Sequence, residues 1–365
     1  MNMLLGLQYN EELKPEAITN GGFSYVEVPY EDIECKKFLI NEECMNEKST
    51  MKISGVTYPL RKLDSDKLFK IVEICKRYHG RYIVLETMNC EPGILEEIVK
   101  ECADKLQHYK ISIFIENGCD GDDIHGYVHN GYSNVAQLKK IVDFCKKICN
   151  YPLMGICIDI GCANLLAQNI RSQLNQCSGY LCLIHANDNG GQYNEMQMPY
   201  TFTKGRGDLT TDWYHIIGEL IRMEFEGWCI FNTKGLFHRI PEPLQTQYIR
   251  MLHAIAEEWE KQFTFVDRIL NQPDKKLILF GSGQMLWDYM ETFGKKYPPC
   301  FAVDNERKRW GIKVHGVLVK SPDAILEVSE EERNVMICCM YYDAIGTQLR
   351  QMGVTYHEFQ DQYFV

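Results

Sequence analysis

The chain has no Cys-x-x-Cys pair, although it holds 16 cysteines. The nearest spacings are Cys145/Cys149, one helical turn apart, and the adjacent Cys338-Cys339. That pattern excludes zinc knuckles and does not resemble the disulfide framework of a small secreted domain. Reduced thiols used as small apolar residues are expected, as in a cytoplasmic protein. No apolar run approaches the roughly 20 residues of a membrane-spanning helix. The stretch Met1 to Tyr9 lacks a basic leader and a long apolar core, so no signal peptide is expected. Positive charge is also short. Lys and Arg total 39 against 50 Asp and Glu, a formal net charge of −11. A groove for a phosphate backbone needs the opposite balance, so no nucleic-acid partner is expected. A small-molecule or cation site remains compatible with it.

What is present is alternation. Strand-like runs occur at Met3–Tyr9, Phe23–Pro29, Met51–Leu60, Arg81–Met88, Lys110–Gly118, Gly155–Asp159, Gly179–Gly191 and Gly227–Gly235. Helical patterns separate most of them: Asp64 can cap one, Pro92 opens another, and one runs from Ser133 to about Cys149. Further helices are expected from Leu165 to about Cys177, from a cap at Asp208 or Thr210 to about Phe225, and from Pro243 to about Phe263. Eight strands alternating with helices predict a (β/α)8 TIM barrel over residues 1–270. Gln272-Pro273-Asp274 reads as a linker. Residues 271–365 predict a small Rossmann-like α/β domain, with strands at Lys275–Gly281, Cys300–Asp304, Val314–Val319 and Asn334–Met340.

The chemistry concentrates at the C-terminal strand ends, where barrel active sites lie. Strand four ends in Glu86, strand five in Glu116-Asn117 and strand six in Asp159. Strand seven carries His185, Asn187 and Asp188, and strand eight Asn232 and Lys234. Asp159 alone can be a ligand, a base or a cap for the following loop. Isolated charges aimed at the barrel axis are costly to desolvate. A divalent cation offsets that cost, and the Glu, Asp and His donors suit Mn, Mg, Co, Fe or Zn. The alternative is a hydrogen-bonded polar plug.

Four segments carry a resemblance: Ile115-Glu116-Asn117-Gly118, Ile158-Asp159-Ile160-Gly161-Cys162-Ala163-Asn164, Ile184-His185-Ala186-Asn187-Asp188-Asn189 and Lys204-Gly205-Arg206-Gly207-Asp208-Leu209. In order and separation they resemble the xylose isomerase-like superfamily of sugar isomerases, epimerases and AP-endonuclease-type barrels. The resemblance implies a divalent metal held by Glu116, Asp159 and His185, with the fourth ligand position at Asn232. It also implies proton transfer beside a sugar carbonyl. Glu116 would be ligand and base, and Glu86 or Lys234 the second acid/base. Asn117, Asn187 and Asp188 would contact the substrate. Lys204 and Arg206 would hold a phosphate or carboxylate, unless theirs is a solvated loop. His125 and His129 would line the mouth or lie on the surface.

The departures are specific. The family often has His where this chain has Cys162, and Glu where it has Asn232. Some members have His at the position of Glu86. The His that often precedes the strand-seven Gly-x-Gly is missing, with Met198 and Tyr200 nearby. With Asn232 in place, the symmetric two-carboxylate mechanism cannot run as the family runs it. The competing reading is a metal-free barrel serving as a binding or scaffolding module. An AP endonuclease needs a basic groove and a multi-His cluster, which this sequence lacks.

In the second unit, Gly281-Ser282-Gly283 follows a strand and Asp304 ends the next one. Such a loop lets backbone approach a diphosphate. The third Gly of the dinucleotide fingerprint is Leu286 here, and a tight structural turn explains the loop equally well. With Val303-Asp304-Asn305, Trp310-Gly311 and Gly316-Val317, the unit resembles the small domains of nucleotide-sugar-modifying enzymes. That resemblance implies a nucleotide or nucleotide-sugar at Gly281, Ser282, Gly283 and Asp304. The expected partner is a small sugar, and self-association into a homo-oligomer stays open.

Overall fold

The structure, a computed structural model, describes residues 3–35, 37–38, 51–202, 211–237 and 239–359. Eight parallel strands close into a barrel: β1 (Met3–Gln8), β2 (Tyr25–Pro29), β3 (Lys52–Pro59), β4 (Tyr82–Glu86), β5 (Ser112–Glu116), β8 (Met154–Asp159), β9 (Leu181–Ala186) and β10 (Gly227–Phe231). β1 pairs with β10 and shuts the cylinder. The (β/α)8 expectation holds for all eight strands. Between β5 and β8, where the sequence pattern predicts a loop, β6 (Cys119–Asp122) pairs with β7 (Gly126–His129) in a hairpin. Its Gly and Asp content masks the strand pattern, and positive φ at Gly121 and Gly126 lets the ribbon turn.

Alternation along each strand sends every second side chain into the barrel. Tyr25, Tyr82, Val84, Phe114, Cys157, Leu183, Trp228 and Ile230 pack together there. Gly55 makes room for this filling. A Cβ on it would lie 2.3 Å from the Tyr82 ring. Two residues further along each strand, on the same face, stand Glu27, Glu86, Glu116, Asp159, His185 and Asn232. The packed apolar layer thus forms the floor beneath a polar one. The register shifts at Val26/Glu27 between β2 and β3, and at Ile156/Cys157 between β8 and β9. Such irregularities re-aim side chains next to a site.

The helix after β8 differs from expectation. It is two pieces, Ile160–Leu165 and Ile170–Gln176. Ala167 takes φ 51° between them, and the Asn169 side chain accepts from Ser172 N–H to start the second. An Asn cap competes well with helix continuation.

Contacts divide the chain into two compact units, one of residues 2–216 with 225–258, the other of 217–224 with 259–365. The second contains β11 (Lys276–Phe280), β12 (Phe301–Val303), β13 (Lys313–Val314), β14 (Val317–Lys320), β15 (Arg333–Ile337) and β16 (His357–Glu358). They form one six-stranded sheet in the order β13-β14-β12-β11-β15-β16. The sheet is mixed, because β13 runs antiparallel to β14. The single strand expected at Val314–Val319 is this hairpin. His315 and Gly316 both take positive φ at its turn, as tight hairpins require. Ile278, Phe280, Val303, Val335, Ile337 and Leu349 are among the buried residues of the unit's core.

Candidate active site

His185 on β9 is fully buried and lies between two carboxylates. Its Nδ1 is 2.5 Å from Glu116 Oε1 on β5, and its Nε2 is 2.8 Å from Glu27 Oε1 on β2. Gln8 on β1 donates to the same Glu27 oxygen at 3.1 Å. The Cys157 thiol faces Glu116 Oε1 at 4.0 Å. Four strands from opposite sides of the barrel therefore meet in one buried chain, Gln8–Glu27–His185–Glu116.

Two carboxylates on one imidazole settle its charge. Burial disfavours the imidazolium, but the charges of Glu27 and Glu116 oppose it and hold the His185 pKa well above its ordinary value. Burial pushes Glu116 up to about 7, against the pull of His185, and the nearby Asp159 and Glu86 charges add to the rise. Burial also drives the Cys157 thiol far up, so it is protonated at neutral pH. The pair Glu116–His185 thus stores a proton at the barrel mouth.

Asp159 has other partners. Its Oδ1 accepts from Cys162 N–H at 2.7 Å, capping the helix Ile160–Leu165, and its Oδ2 accepts from Asn187 Nδ2 at 2.9 Å. Asn117 clamps the Asp159 backbone, accepting from its N–H at 2.6 Å and donating to its carbonyl at 3.1 Å. Gly161 makes this approach feasible, since a Cβ there would sit 1.8 Å from Asn187 Oδ1. Asp188 accepts from Phe202 N–H at 2.9 Å, from Asn189 N–H at 3.0 Å and from the Thr211 hydroxyl. It anchors the strand-seven loop, and burial raises its pKa in spite of those bonds.

The remaining residues scatter around this centre. Glu86 is half-buried, and its charge reaches Glu116. Lys234 is half-buried, its charge bearing on Asp32. Asn232 is buried, and its Oδ1 has no hydrogen-bond partner. Lys204, Arg206, Asp208 and Thr210 lie outside the described residues. His125 and His129 are exposed on the β6–β7 hairpin, with His125 held by Asp122. Cys162 is buried against Cys119, which raises its thiol pKa, as does burial.

Among the described residues, the group whose ligand atoms lie within 4.8 Å of one another is Glu116, Cys157 and His185. Asp159 is not in it, so the sequence-derived trio does not meet as one cluster in this arrangement. Glu27, Gln8 and Cys157 were not singled out from sequence. The signal for Glu27 was available: a lone carboxylate inside the apolar run Phe23–Pro29 has the same pattern as Asp159 in its own strand.

In the second unit the Gly281-Ser282-Gly283 turn is bonded to itself. Asp304 Oδ2 accepts from Ser282 N–H at 3.0 Å and from its hydroxyl at 2.5 Å. Arg309 Nη1 donates to the Ser282 carbonyl at 2.5 Å. Gly281 needs φ 121°. These bonds give the turn a structural reason to exist.

No protein-family profile matches the chain, and no curated protein is similar to it in sequence. Similar solved structures do exist. An L-ribulose 3-epimerase matches with a TM-score of 0.54 at 10% identity, over 75% of this chain and 100% of its own. A 3-keto-D-glucoside 4-epimerase from E. coli matches at 0.51 and 12% identity, over 70% and 100%. A D-psicose 3-epimerase solved in the presence of D-fructose matches at 0.51 and 13% identity, over 70% and 99%. The barrel of this chain therefore has the fold of these sugar epimerases.

Proposed function

We propose that the barrel belongs to the xylose isomerase-like superfamily and is a sugar isomerase or epimerase, moving a proton at a carbon beside a sugar carbonyl. The observation that carries this reading is the buried Glu27–His185–Glu116 chain on a sugar-epimerase fold. A carboxyl group with a pKa of about 7 is poised to take and return a proton at neutral pH. In this reading Glu116 is the base at the substrate carbon, and Glu86 or Lys234 is the acid/base of the other face. Asn117 and Asn187 orient Asp159, and Asp188 holds the loop over the sugar. Lys204 and Arg206 would receive an anionic group of the substrate.

A divalent metal fits this donor set. Glu116 and His185 supply an oxygen and a nitrogen within coordinating reach of each other, and the orphaned Asn232 Oδ1 is a further neutral acceptor. Mn, Mg, Co or Zn would be held by Glu116 and His185, with Asn232 as a further donor; Asp159 would join them only by giving up its Cys162 and Asn187 partners. Bound there, the ion would stabilise developing enediolate charge. The proton now shared by Glu116 and His185 must leave first, because an imidazole ligand is neutral.

The imidazolium clamp also favours a second reading, a metal-free carbohydrate-binding barrel. For the second unit, the Rossmann-like, nucleotide-sugar-binding reading is supported by the position of Gly281-Ser282-Gly283 between a strand and a helix. The internal bonding of Ser282 with Asp304 favours a structural turn, and a UDP-sugar that raises the unfolding midpoint would decide for binding.

The decisive experiment is proton exchange. Ketohexoses and ketopentoses are incubated in D2O with chelator-treated protein and with Mn-loaded protein, and deuterium is followed at the carbons flanking the carbonyl. Exchange that needs metal and vanishes in Glu116→Gln supports the enzyme. No exchange with any sugar, alongside saturable sugar binding, supports the binding module.

A further inference from the structure

The second unit has a polar cleft at the N-terminal edge of its sheet, the edge opposite Gly281-Ser282-Gly283. Its volume is about 240 Å3, and Gln272, Lys275, Glu330, Arg333, Thr355 and His357 are among the residues that line it. The sheet order puts β11, β15 and β16 side by side. The turn before β11, the start of β15 and the start of β16 are therefore brought to one edge, although up to 85 residues separate them in sequence (272 to 357).

The cleft gathers two cations, Lys275 and Arg333, against one carboxylate, Glu330, that pairs with neither. Among the described residues, the Lys275 side chain has no hydrogen bond or ion pair, and Arg333 reaches only the Gly353 carbonyl at 3.4 Å. The adjacent Lys276 and Glu332 pair with each other at 2.9 Å, so that acid is already engaged. Glu330 lines the wall but forms no ion pair with either cation. Half-buried His357 is held below its ordinary pKa by burial and by the charges of Arg268 and Lys275. Cations and an imidazole facing one concavity repel each other, and a bound anion would relieve that repulsion. The Thr355 hydroxyl is suited to hydrogen-bond its oxygens, and so is the second N–H of the Gln272 amide, whose other N–H donates to the Arg268 carbonyl at 2.6 Å.

We propose that this cleft is a binding site for a small polyanion of the phosphate-ester class. Lys275 and Arg333 supply the charge, and His357 gains a proton as the anion enters. The volume is below the roughly 300 Å3 at which drug-sized sites begin. It suits a phosphate with a short hydroxylated body, not a dinucleotide. Glu330 on the wall accepts from hydroxyls of that body, and its charge weakens the binding of an anion that lacks them without abolishing it.

The test is calorimetry on the full chain with inorganic pyrophosphate and, separately, citrate, at ionic strength held constant with NaCl. Saturable one-to-one binding of pyrophosphate, tighter than citrate, is expected. Lys275→Gln with Arg333→Gln should weaken it at least tenfold, and NMR should show the His357 pKa rising on saturation. Glu330→Gln, a change at an exposed wall residue, should tighten pyrophosphate binding severalfold. No saturable binding, binding unchanged in the double variant, or binding weakened by Glu330→Gln would each overturn the assignment.

Discussion

Replacing Glu27 by Gln tests the buried chain at its least exposed link. The change is isosteric and keeps an oxygen that can accept from His185 Nε2, now 2.8 Å away. What it removes is the negative charge beside a fully buried imidazolium. A hydrogen bond to a charged group contributes about 1.5–3 kcal/mol, against about 1 for a neutral one. Deleting one partner of a buried pair outright costs about 3–5 kcal/mol. Because Gln retains the acceptor, the expected cost is about 2 kcal/mol, or roughly 4–8 °C in the unfolding midpoint of a barrel this size. Glu27→Ala should cost more, at the upper end of that range. The pH dependence is the sharper readout. The folded His185 pKa is raised, so its stabilisation is complete below the unfolded value, about 6.5, and is lost as pH climbs through the folded value. The cost of Glu27→Gln should therefore be greatest near pH 6 and shrink in alkaline solution. Thermal unfolding of wild type and variant across pH 6 to 10 measures this. A cost that is absent, constant or growing with pH would show that His185 is not held as an imidazolium by Glu27.

The other expectations address the same layer and its support. Glu116 is raised from 4.5 to about 7, so its contribution is complete below about pH 4.5 and is lost by the time pH has climbed through 7; Glu116→Gln should flatten the wild-type decline between about pH 4.5 and 7. If metal binds at Glu116 and His185, titrating Mn into weakly buffered protein near pH 7 should release about one proton per site, and a titration without proton release would contradict the shared-proton description. Gly161→Ala puts a methyl on the Asn187 amide and should cost about 1–3 kcal/mol, read by chemical denaturation. Gly55→Ala should likewise destabilise by about 1–3 kcal/mol through the Tyr82 ring, and pairing it with Tyr82→Leu should recover part of that loss, as expected for neighbours in contact.

Local pattern carried the architecture a long way. Each barrel strand is a short apolar run between turn residues, and each such run is buried on both faces whatever its neighbours are, so its type and order follow from the chain alone. Strand ends were equally legible, and with them Glu116, Asp159 and His185, because a polar residue closing an apolar run stands out. The β6–β7 hairpin and β13 were not legible, since their residues are polar or few and only pairing makes them strands. Which groups touch was decided by closure. Gln8, Glu27, Glu116 and His185 come from four strands, and the distances between them depend on barrel stagger and on the register shifts beside Glu27 and Cys157. Asp159 shows the same division: the sequence allowed a ligand or a cap, and the Asn187 amide, admitted by the missing side chain of Gly161, turned its carboxylate toward the cap. A sequence states which side chains face inward, since that follows from a period of two. Which of them share a proton depends on separations of a few tenths of an ångström across the barrel, and only the closed fold sets those.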